Sequence, residues 1–415
     1  MKKAWLLLIA FTVFAMVFVF APPVSATPYY VTTNGTGSGA SWTDALPDIQ
    51  AAITKAVNVG DVVWVSNGVY ATGGITNSLE AQGTTNRVSI TNAGIIVRSA
   101  HNDPANTIIV GGGVNGTDNA IRCVFMNDTT TLIGFTLTNG TTRNASFGGG
   151  VRSFSTNTII SNCVMISCKS SYNGAGACNG TLYNCTITNN AGNYGGGVIN
   201  ATLYNCLIVN NAGGNGGGGL RDCKAYNCTI KGNYGGAVRG GGGALDSTLY
   251  NCLVVSNRTD SIGGGVRFGQ VSSGGGIYNC TVVSNTATTS GGGMSYGVLF
   301  QNAGVYNSII CFNTAPADAN WGAGMVASNS CTSPEISGVG NITDDPMLVD
   351  RNTATANYRL HPNSTCINTG TNLDWTLDPA DARSKDLDGR MRVRYGTVDM
   401  GAYEKLYSGT MIKLR

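Results

Sequence analysis

The sequence predicts an all-β solenoid, a single-stranded right-handed parallel β-helix of roughly ten to twelve coils with an N-terminal capping helix. Three observations predict this fold. A similar phrase recurs along the chain, as in "LYNCTITNNAGNYGGG" at 182–197 and "LYNCLIVNNAGGNGGGG" from 203. The phrase is rich in strand- and turn-forming residues and poor in helix formers. Finally, 42% of the residues are hydrophobic, so the chain is able to bury a core.

An Asn-Cys step marks the same point in each repeat, and the last copy reads Asn307-Ser308. The marker cysteines are Cys163, Cys185, Cys206, Cys228, Cys252 and Cys280. Their spacing runs from 21 residues (185 to 206) to 28 residues (252 to 280). This period is too short for propeller blades or paired helices. A unit of this size buries its apolar face only by stacking on copies of itself, and the handedness of parallel crossovers favours a right-handed coil.

Side-chain parity places a bend inside each unit. Cys185 and Ile187 share one face of a strand, whereas Leu182 is out of phase with them by one residue. We assign the bend to Asn184, because Asn tolerates the left-handed conformation of a sharp corner. The same corner recurs at Asn162, Asn205, Asn227, Asn251, Asn279 and Asn307, and a second Asn turn follows at Asn190, Asn211, Asn233, Asn257, Asn285 and Asn313. We expect corner amides to hydrogen-bond from coil to coil.

Stacking converts each inward position into a column of like residues. We expect three inward columns: the marker cysteines, an aliphatic column before the corner and another after it. The two aliphatic columns are Ile160/Leu182/Leu203/Leu249/Ile277/Val305 and Ile187/Ile208/Ile230/Val254/Val282/Ile310. Parallel Cβ vectors hold stacked cysteines slightly too far apart for disulfides, which favours free thiols in the column. Pairing among the other seven of the 13 cysteines stays open.

The two ends of the chain differ from the repeat. Residues 1–26 have the order of a secretory signal peptide, with Lys2 and Lys3, an apolar stretch and small residues before the cleavage site. Residues 27–60 form an N-terminal cap, in which Leu46, Ile49, Ile53 and Val57 would share one face of a helix. Coils follow over 61–314, and 315–415 holds irregular coils and a closing segment. The chain is therefore predicted to be exported, to the cell surface or the medium.

Several segments resemble exported bacterial proteins with pectin-lyase-like β-helices, of the choice-of-anchor Q type. "YYVTTNGTGSGASWTDAL" at 29–46 and "GDVVWVSNGVY" at 60–70 are similar to their N-terminal segment. "DPMLVD", "YRLHPNSTCINTG" and "DLDGRMRVRYGTVDMGAYE", between 345 and 404, are similar to their C-terminal part. The resemblance implies the fold and export, and it implies no reaction.

The sequence contains few groups of residues at the spacing of a known catalytic site. The repeat region contains Asp222, Asp246 and Asp260, which fall at different distances after the preceding marker cysteine and indicate no cluster. His101 and His361 lie outside the main repeat, so no zinc site or catalytic triad follows from spacing. We expect no cofactor or metal; Ca²⁺ would enter only if the protein were a lyase. Charged residues make up 11% of the chain and the net charge is +3, which gives no nucleic-acid-binding footprint.

Two outward columns are the candidate binding sites. One residue before each corner stands a tyrosine, and six stacked rings would form either a platform for sugars or a structural stack. These are Tyr183, Tyr204, Tyr226, Tyr250, Tyr278 and Tyr306. Arg152, Arg221 and Arg267 each follow a Gly cluster by two positions and would suit an acidic glycan, although ordinary solvated loops are the more common explanation of such residues.

Two functions follow from these features. The first is a non-catalytic surface protein, a monomer that binds polysaccharide, a cell-surface glycan or another surface in an adhesin-like manner. The alternative is a polysaccharide lyase, or a related carbohydrate-active enzyme, that acts on an acidic glycan. Nucleic acid is not an expected partner, and contact with a membrane would occur only through the signal peptide or an anchor.

Overall fold

The computed structural model confirms the right-handed parallel β-helix. It describes residues 26–76, 79, 83–269, 275–296, 304–352, 355–393 and 396–406. The predicted signal peptide lies outside these residues, except for Ala26. Over the described ranges, no helix is long and apolar enough to cross a membrane.

Three parallel sheets form the walls of the helix, and each coil contributes one strand to each wall over most of its length. In the described part of the chain, sheet A contains eleven strands: Pro28–Val31, Val62–Val65, Ile96–Ser99, Thr131–Ile133, Ile159–Ser161, Thr181–Tyr183, Thr202–Tyr204, Lys224–Tyr226, Thr248–Tyr250, Gly276–Tyr278 and Gly304–Tyr306. Sheet B contains Gly68–Tyr70, Thr107–Val110, Thr136–Thr138, Val164–Ile166, Thr186–Thr188, Leu207–Val209, Thr229–Lys231, Leu253–Val255, Thr281–Val283, Ile309–Cys311 and Cys331–Thr332.

Sheet C forms the third wall, and a smaller sheet D lines the later coils between sheets B and C. Sheet C contains Thr85–Ile90, Ile121–Met126, Val151–Ser153, Ala177–Cys178, Val198–Ile199, Leu220–Arg221, Ala244–Leu245, Val266–Phe268 and Met294–Tyr296. Sheet D contains Ala191–Tyr194, Ala212–Gly216, Tyr234–Gly235, Arg258–Thr259 and Thr286–Ala287. After the coils, Leu348–Asp350 and Asn357–Leu360 form an antiparallel pair, and Ala382–Ser384 is a 3₁₀ turn.

Left-handed residues make the corners between the walls. All seven predicted corner asparagines, from Asn162 to Asn307, have φ between 48° and 55°. At the next corner the left-handed residue is the one before the second Asn, for example Asn210 at φ 55°. The second Asn itself points into the core, and Asn211 and Asn257 are each 1% exposed.

The three predicted inward columns are buried. Every member of the two aliphatic columns and of the cysteine column is at most 3% exposed. All 13 cysteines are buried, those outside the column included. Burial raises the pKa of Cys163 to about 11 and that of Cys223 to about 12, which keeps both thiols protonated at neutral pH. Such cysteines pack as small apolar residues.

The second asparagines form a continuous hydrogen-bonded ladder through the core. In each step the Nδ2 of one side chain donates to the Oδ1 of the next at 2.9–3.0 Å, and the backbone N–H donates to the same oxygen. Each Nδ2 also donates to a carbonyl of the preceding coil, as Asn257 does to Ile230 at 2.9 Å. We call this set the asparagine ladder: Asn190, Asn211, Asn233, Asn257, Asn285, Asn313 and Asn320.

Glycine clusters give the ladder its space. The first glycine of a cluster turns the chain, as Gly263 does at φ 71°. The last one faces the ladder: a Cβ on Gly243 would lie 3.0 Å from the Nδ2 of Asn257 and 2.6 Å from the carbonyl oxygen of Gly265. Any side chain at that position would therefore push neighbouring coils apart.

A short helix covers the first coil. It spans Ile49–Lys55, and the carboxylate of its N-cap Asp48 accepts a hydrogen bond from the N–H of Ala51 at 2.7 Å. Ile49 and Ile53 are buried, as predicted, and so is Leu46 just before the helix. Val57 is 65% exposed, contrary to the predicted apolar face, because the helix ends two residues before it. The segment 27–60 also supplies the first strand of sheet A.

The end of the chain packs along the side of the solenoid. We call residues 364–406 the C-terminal segment. A second apolar core lies between its residues Met400 and Tyr403 and the outward side chains Leu253, Val255 and Val283 of sheet B. Asn307 fixes the segment in a two-way contact, because its Nδ2 donates to the Thr371 carbonyl at 2.9 Å and its Oδ1 accepts from the Thr371 N–H at 2.8 Å.

Removal of one amide from the asparagine ladder should destabilise the whole stack. Asn257→Ala removes one hydrogen bond from each of four buried groups of neighbouring coils, so we expect the free energy of unfolding to fall by roughly 2–5 kcal/mol. Urea unfolding followed by circular dichroism measures the change.

Asn215→Ala is the matched control, because this half-buried asparagine lies in the glycine-rich strand Ala212–Gly216 of sheet D, outside the ladder. We expect the control to change the stability by no more than about 0.5 kcal/mol. Equal effects of the two substitutions would show that the ladder is not a major source of stability.

Candidate functional site

The predicted tyrosine column exists and points outward from sheet A. Tyr204 pairs with Tyr226 and Tyr226 with Tyr250 in register, while the neighbouring Leu203 is fully buried. Consecutive rings stack with centroids 4.8–5.6 Å apart and planes within 5–12° of each other. We call Tyr183, Tyr204, Tyr226, Tyr250, Tyr278 and Tyr306 the tyrosine ladder. Because each inner ring lies against a ring on both sides, a sugar would find an uncovered ring face only at the ends.

The C-terminal segment covers the middle of the tyrosine ladder. Trp375 contacts the Tyr250 ring edge-on at 5.9 Å between centroids, and the Arg383 guanidinium lies 4.9 Å from the Trp375 ring. Asn251 holds this arrangement by donating its Nδ2 to the Arg383 carbonyl at 3.0 Å. Burial, together with the neighbouring Tyr204 and Tyr250 phenols, raises the pKa of Tyr226 to about 12. The stack therefore joins coil to coil and anchors the end of the chain.

The three predicted arginines share one outward column on sheet C. The register runs through Arg152, Cys178, Ile199, Arg221, Leu245 and Arg267. Three strand steps separate Arg152 from Arg221 and two separate Arg221 from Arg267, so their backbones are about 14 Å and about 10 Å apart along the axis. Their half-buried side chains lie among the buried Ile199 and Leu245 of the same column, which is typical of long cationic side chains.

Aromatic rings hold these arginines in place. The Arg152 guanidinium lies 5.1 Å from the Phe147 ring and 5.4 Å from the Phe154 ring. The Arg221 guanidinium lies 4.3 Å from the ring of Tyr194. On the adjoining sheet D, Arg258 stacks on Tyr234 at 4.2 Å, and Arg267 donates to the carbonyl of Arg239. We call this surface the arginine–aromatic face: Arg152, Arg221, Arg239, Arg258 and Arg267 with Phe147, Phe154, Tyr194 and Tyr234.

Two aspartates form a pair beside this face, which corrects the inference that the acids are scattered. Asp222 and Asp246 directly follow Arg221 and Leu245, which pair in register, and both have φ 51° at the same corner of adjacent coils. Counting from the preceding marker cysteine hid the pair, since a glycine loop of variable length lies between that cysteine and this corner. Asp222 forms an ion pair with Arg221 at 3.0 Å. Burial and the charge of Asp246 raise the pKa of Asp222, against the opposing effect of Arg221.

Arg267 places a cation close to Asp246. Burial lowers its pKa, while the charge of Asp246 opposes this shift. Within the described residues, no group of three or more His, Cys, Asp or Glu side chains is placed to hold a metal ion. The third repeat-region acid, Asp260, accepts a hydrogen bond from the Tyr234 hydroxyl.

Comparison with known proteins defines the fold. No family model and no curated protein matches this chain. Among solved structures, the chain is similar to pectate lyase Pel9A, with a TM-score of 0.55 and 16% identity over 92% of this chain and 98% of that one. It is also similar to a rhamnogalacturonan lyase (TM-score 0.42, 14% identity, 74% and 87% covered) and to a pectin methylesterase from carrot (0.35, 13%, 78% and 90%). The first similarity places the chain among proteins with the pectin-lyase-like right-handed parallel β-helix. At this identity it shows the fold alone.

Loss of the Trp375 side chain should release the C-terminal segment from the tyrosine ladder. In Trp375→Ala the Arg383 guanidinium loses the nearer of its two aromatic partners, Trp375 at 4.9 Å and Tyr250 at 5.5 Å, so we expect trypsin to cleave after Arg383 and Lys385 at least several times faster. The coils should keep their circular dichroism spectrum, because the inward columns are untouched.

Leu377→Ala is the control, since this side chain lies in the same loop and is 65% exposed. Cleavage at the same rate in both variants would refute the proposed anchoring role of Trp375.

Proposed function

We propose that this protein is an exported surface protein of the choice-of-anchor Q type that binds an acidic polysaccharide without cleaving it. The observation that carries the proposal is the outward column of Arg152, Arg221 and Arg267, which is interleaved with aromatic rings. Guanidinium groups suit carboxylate and sulfate groups, and aromatic rings suit the apolar faces of sugars. The solenoid repeats such contacts along one axis, as a polymer does.

Charge supports an anionic ligand at this face. Its five arginines outnumber the three aspartates beside it, Asp222, Asp246 and Asp260. Stacking on Phe147, Phe154 and Tyr194 fixes the guanidinium groups before the ligand arrives, so less conformational entropy is lost on binding. The tyrosine ladder has a structural role in this proposal, because its inner ring faces are occupied by one another.

Removal of two arginines should weaken binding to polygalacturonate at low salt. Charge-assisted hydrogen bonds contribute about 1.5–3 kcal/mol each, so we expect Arg221→Ala/Arg267→Ala to reduce the affinity at least about tenfold. Binding of the native protein should itself weaken as salt increases. Affinity electrophoresis or calorimetry measures both effects.

The control Lys55→Ala/Lys385→Ala removes the same two charges from exposed positions elsewhere. If both double variants lost affinity equally, net charge rather than this face would account for binding. Retention of full affinity by the arginine variant would overturn the assignment of the face.

A lyase acting on an acidic glycan is the second candidate, and the Asp222–Asp246 pair beside Arg267 favours it. A partly desolvated arginine with a lowered pKa is a possible base, and paired carboxylates suit a cation. Against this reading, Arg267 is engaged with a backbone carbonyl and Asp222 with Arg221. Arg267 and Asp222 are therefore engaged with other groups rather than positioned to act on a substrate, and we prefer the binding function to the lyase.

Product analysis separates the two candidates. We expect no unsaturated uronate ends when the protein is incubated with polygalacturonate and Ca²⁺, as followed by ultraviolet absorbance. Formation of such ends, abolished by Asp246→Asn and retained in Asp260→Asn, would replace the binding proposal with the lyase.

A further inference from the structure

The N-terminal coils carry a second group of aromatic side chains on the outer face of sheet A. Tyr30, Trp64 and Arg98 occupy the first three positions of the same outward column that later becomes the tyrosine ladder. Here the rings differ in size and do not form a regular stack. They open into a pocket of about 490 Å³, within the range of small-ligand sites. The pocket is lined by Tyr30, Trp42, Trp64, Ser66, Ala100 and His101.

We propose that this pocket binds one ring of a neutral oligosaccharide. Trp42 is 43% exposed and packs edge-to-face with Tyr30 at 4.8 Å, so these two rings and Trp64 provide three apolar walls. Ser66 and the exposed His101 supply polar groups among the lining residues. An apolar surface with a few polar groups matches a pyranose, which has C–H faces and a rim of hydroxyl groups.

The walls of the pocket are held by the backbone. Trp42 lies in a loop that is pinned by hydrogen bonds from the Tyr30 N–H to the Gly39 carbonyl at 3.0 Å and from the Gly37 N–H to the Ala45 carbonyl at 2.8 Å. Trp64 lies inside a strand that pairs on both sides. A ligand therefore meets a formed site and does not have to order a loop.

Charge distinguishes a sugar from the other ligand class that aromatic pockets bind. Quaternary ammonium groups are recognised by rings of this kind. Beside this pocket the guanidinium of Arg98 already lies 4.5 Å from the ring of the lining residue Trp64, and no carboxylate is among the lining residues. A positive ligand would be repelled by Arg98, whereas an uncharged sugar would not.

Titration of the native protein with cellohexaose, xylohexaose and mannohexaose, followed by tryptophan fluorescence and calorimetry, tests the proposal. We expect at least one of them to bind. We expect Trp42→Ala to weaken that binding at least about tenfold, as the loss of a central aromatic contact does. His101→Ala, which leaves the rings in place, should weaken it by a smaller factor.

Trp321→Ala is the matched control, because Trp321 lies in the last coils and donates its Nε1–H to the Pro334 carbonyl. It should leave the affinity unchanged, as should Arg221→Ala/Arg267→Ala, so this site and the arginine–aromatic face are tested separately. Binding of none of the three hexasaccharides would overturn the proposal. Unchanged affinity in both Trp42→Ala and His101→Ala, or saturable binding of choline in place of the sugars, would overturn it too.

Discussion

The interior asparagine ladder is the constraint on which the rest of the structure depends. A buried amide that lost its partners would cost about 1–3 kcal/mol for each unpaired group, so each coil that contributes to the ladder has to present its asparagine at the same height and phase as the next. This requirement explains why the step from marker cysteine to ladder asparagine, as from Cys228 to Asn233, is constant while the repeat length is not. The loops before sheet C vary in length from coil to coil, whereas the number of residues between the corner and the ladder asparagine is constant. The glycine at the end of each loop, such as Gly243, keeps room for the amide.

The coil could be predicted from the sequence because its determinants are local and repeated. The change of side-chain phase at Asn184 predicted the corner. The alternation of inward and outward side chains around Cys185 predicted the inward columns. Counting from the preceding marker cysteine misses the Asp222–Asp246 pair, because the loops that precede it differ by two residues in length, although both residues stand six before the next marker cysteine. Alignment from the glycine clusters would have found it, since Asp222 and Asp246 each follow the last glycine of their cluster by three residues. The aromatic pocket could not be predicted from local sequence patterns either, because only the stacking of the first three coils brings Trp42 and His101 together.

Apolar residues at outward positions of sheet B indicate where the C-terminal segment packs. The strand register is needed to recognise these positions as outward. Outward positions of sheet B are polar or remain exposed in the earlier coils, as at Thr186 and Leu207, whereas Leu253 and Val255 are apolar and buried. The strand Leu253–Val255 is therefore apolar on both faces and buried on both. The segment that covers it carries Arg392, which is fully buried and forms an ion pair with Glu404 at 3.0 Å and hydrogen bonds to the Gly401 and Ala402 carbonyls. Burial raises the pKa of Glu404 to about 8, while the charge of Arg392 opposes the shift.

Stacking also decides which outward columns are free to recognise a ligand. Where identical residues repeat in consecutive coils, each side chain has its neighbours in the column as contact or hydrogen-bond partners. The tyrosine ladder shows this for ring faces. The amides of Asn251, Asn279 and Asn307 show it for hydrogen bonds, since each donates to the corner amide before it. A repeated column therefore builds the solenoid, and recognition requires the repeat to be broken. The arginine–aromatic face and the Tyr30–Trp64 pocket are both places where consecutive coils carry unlike side chains, which leaves guanidinium groups and ring faces without a copy of themselves to pair with.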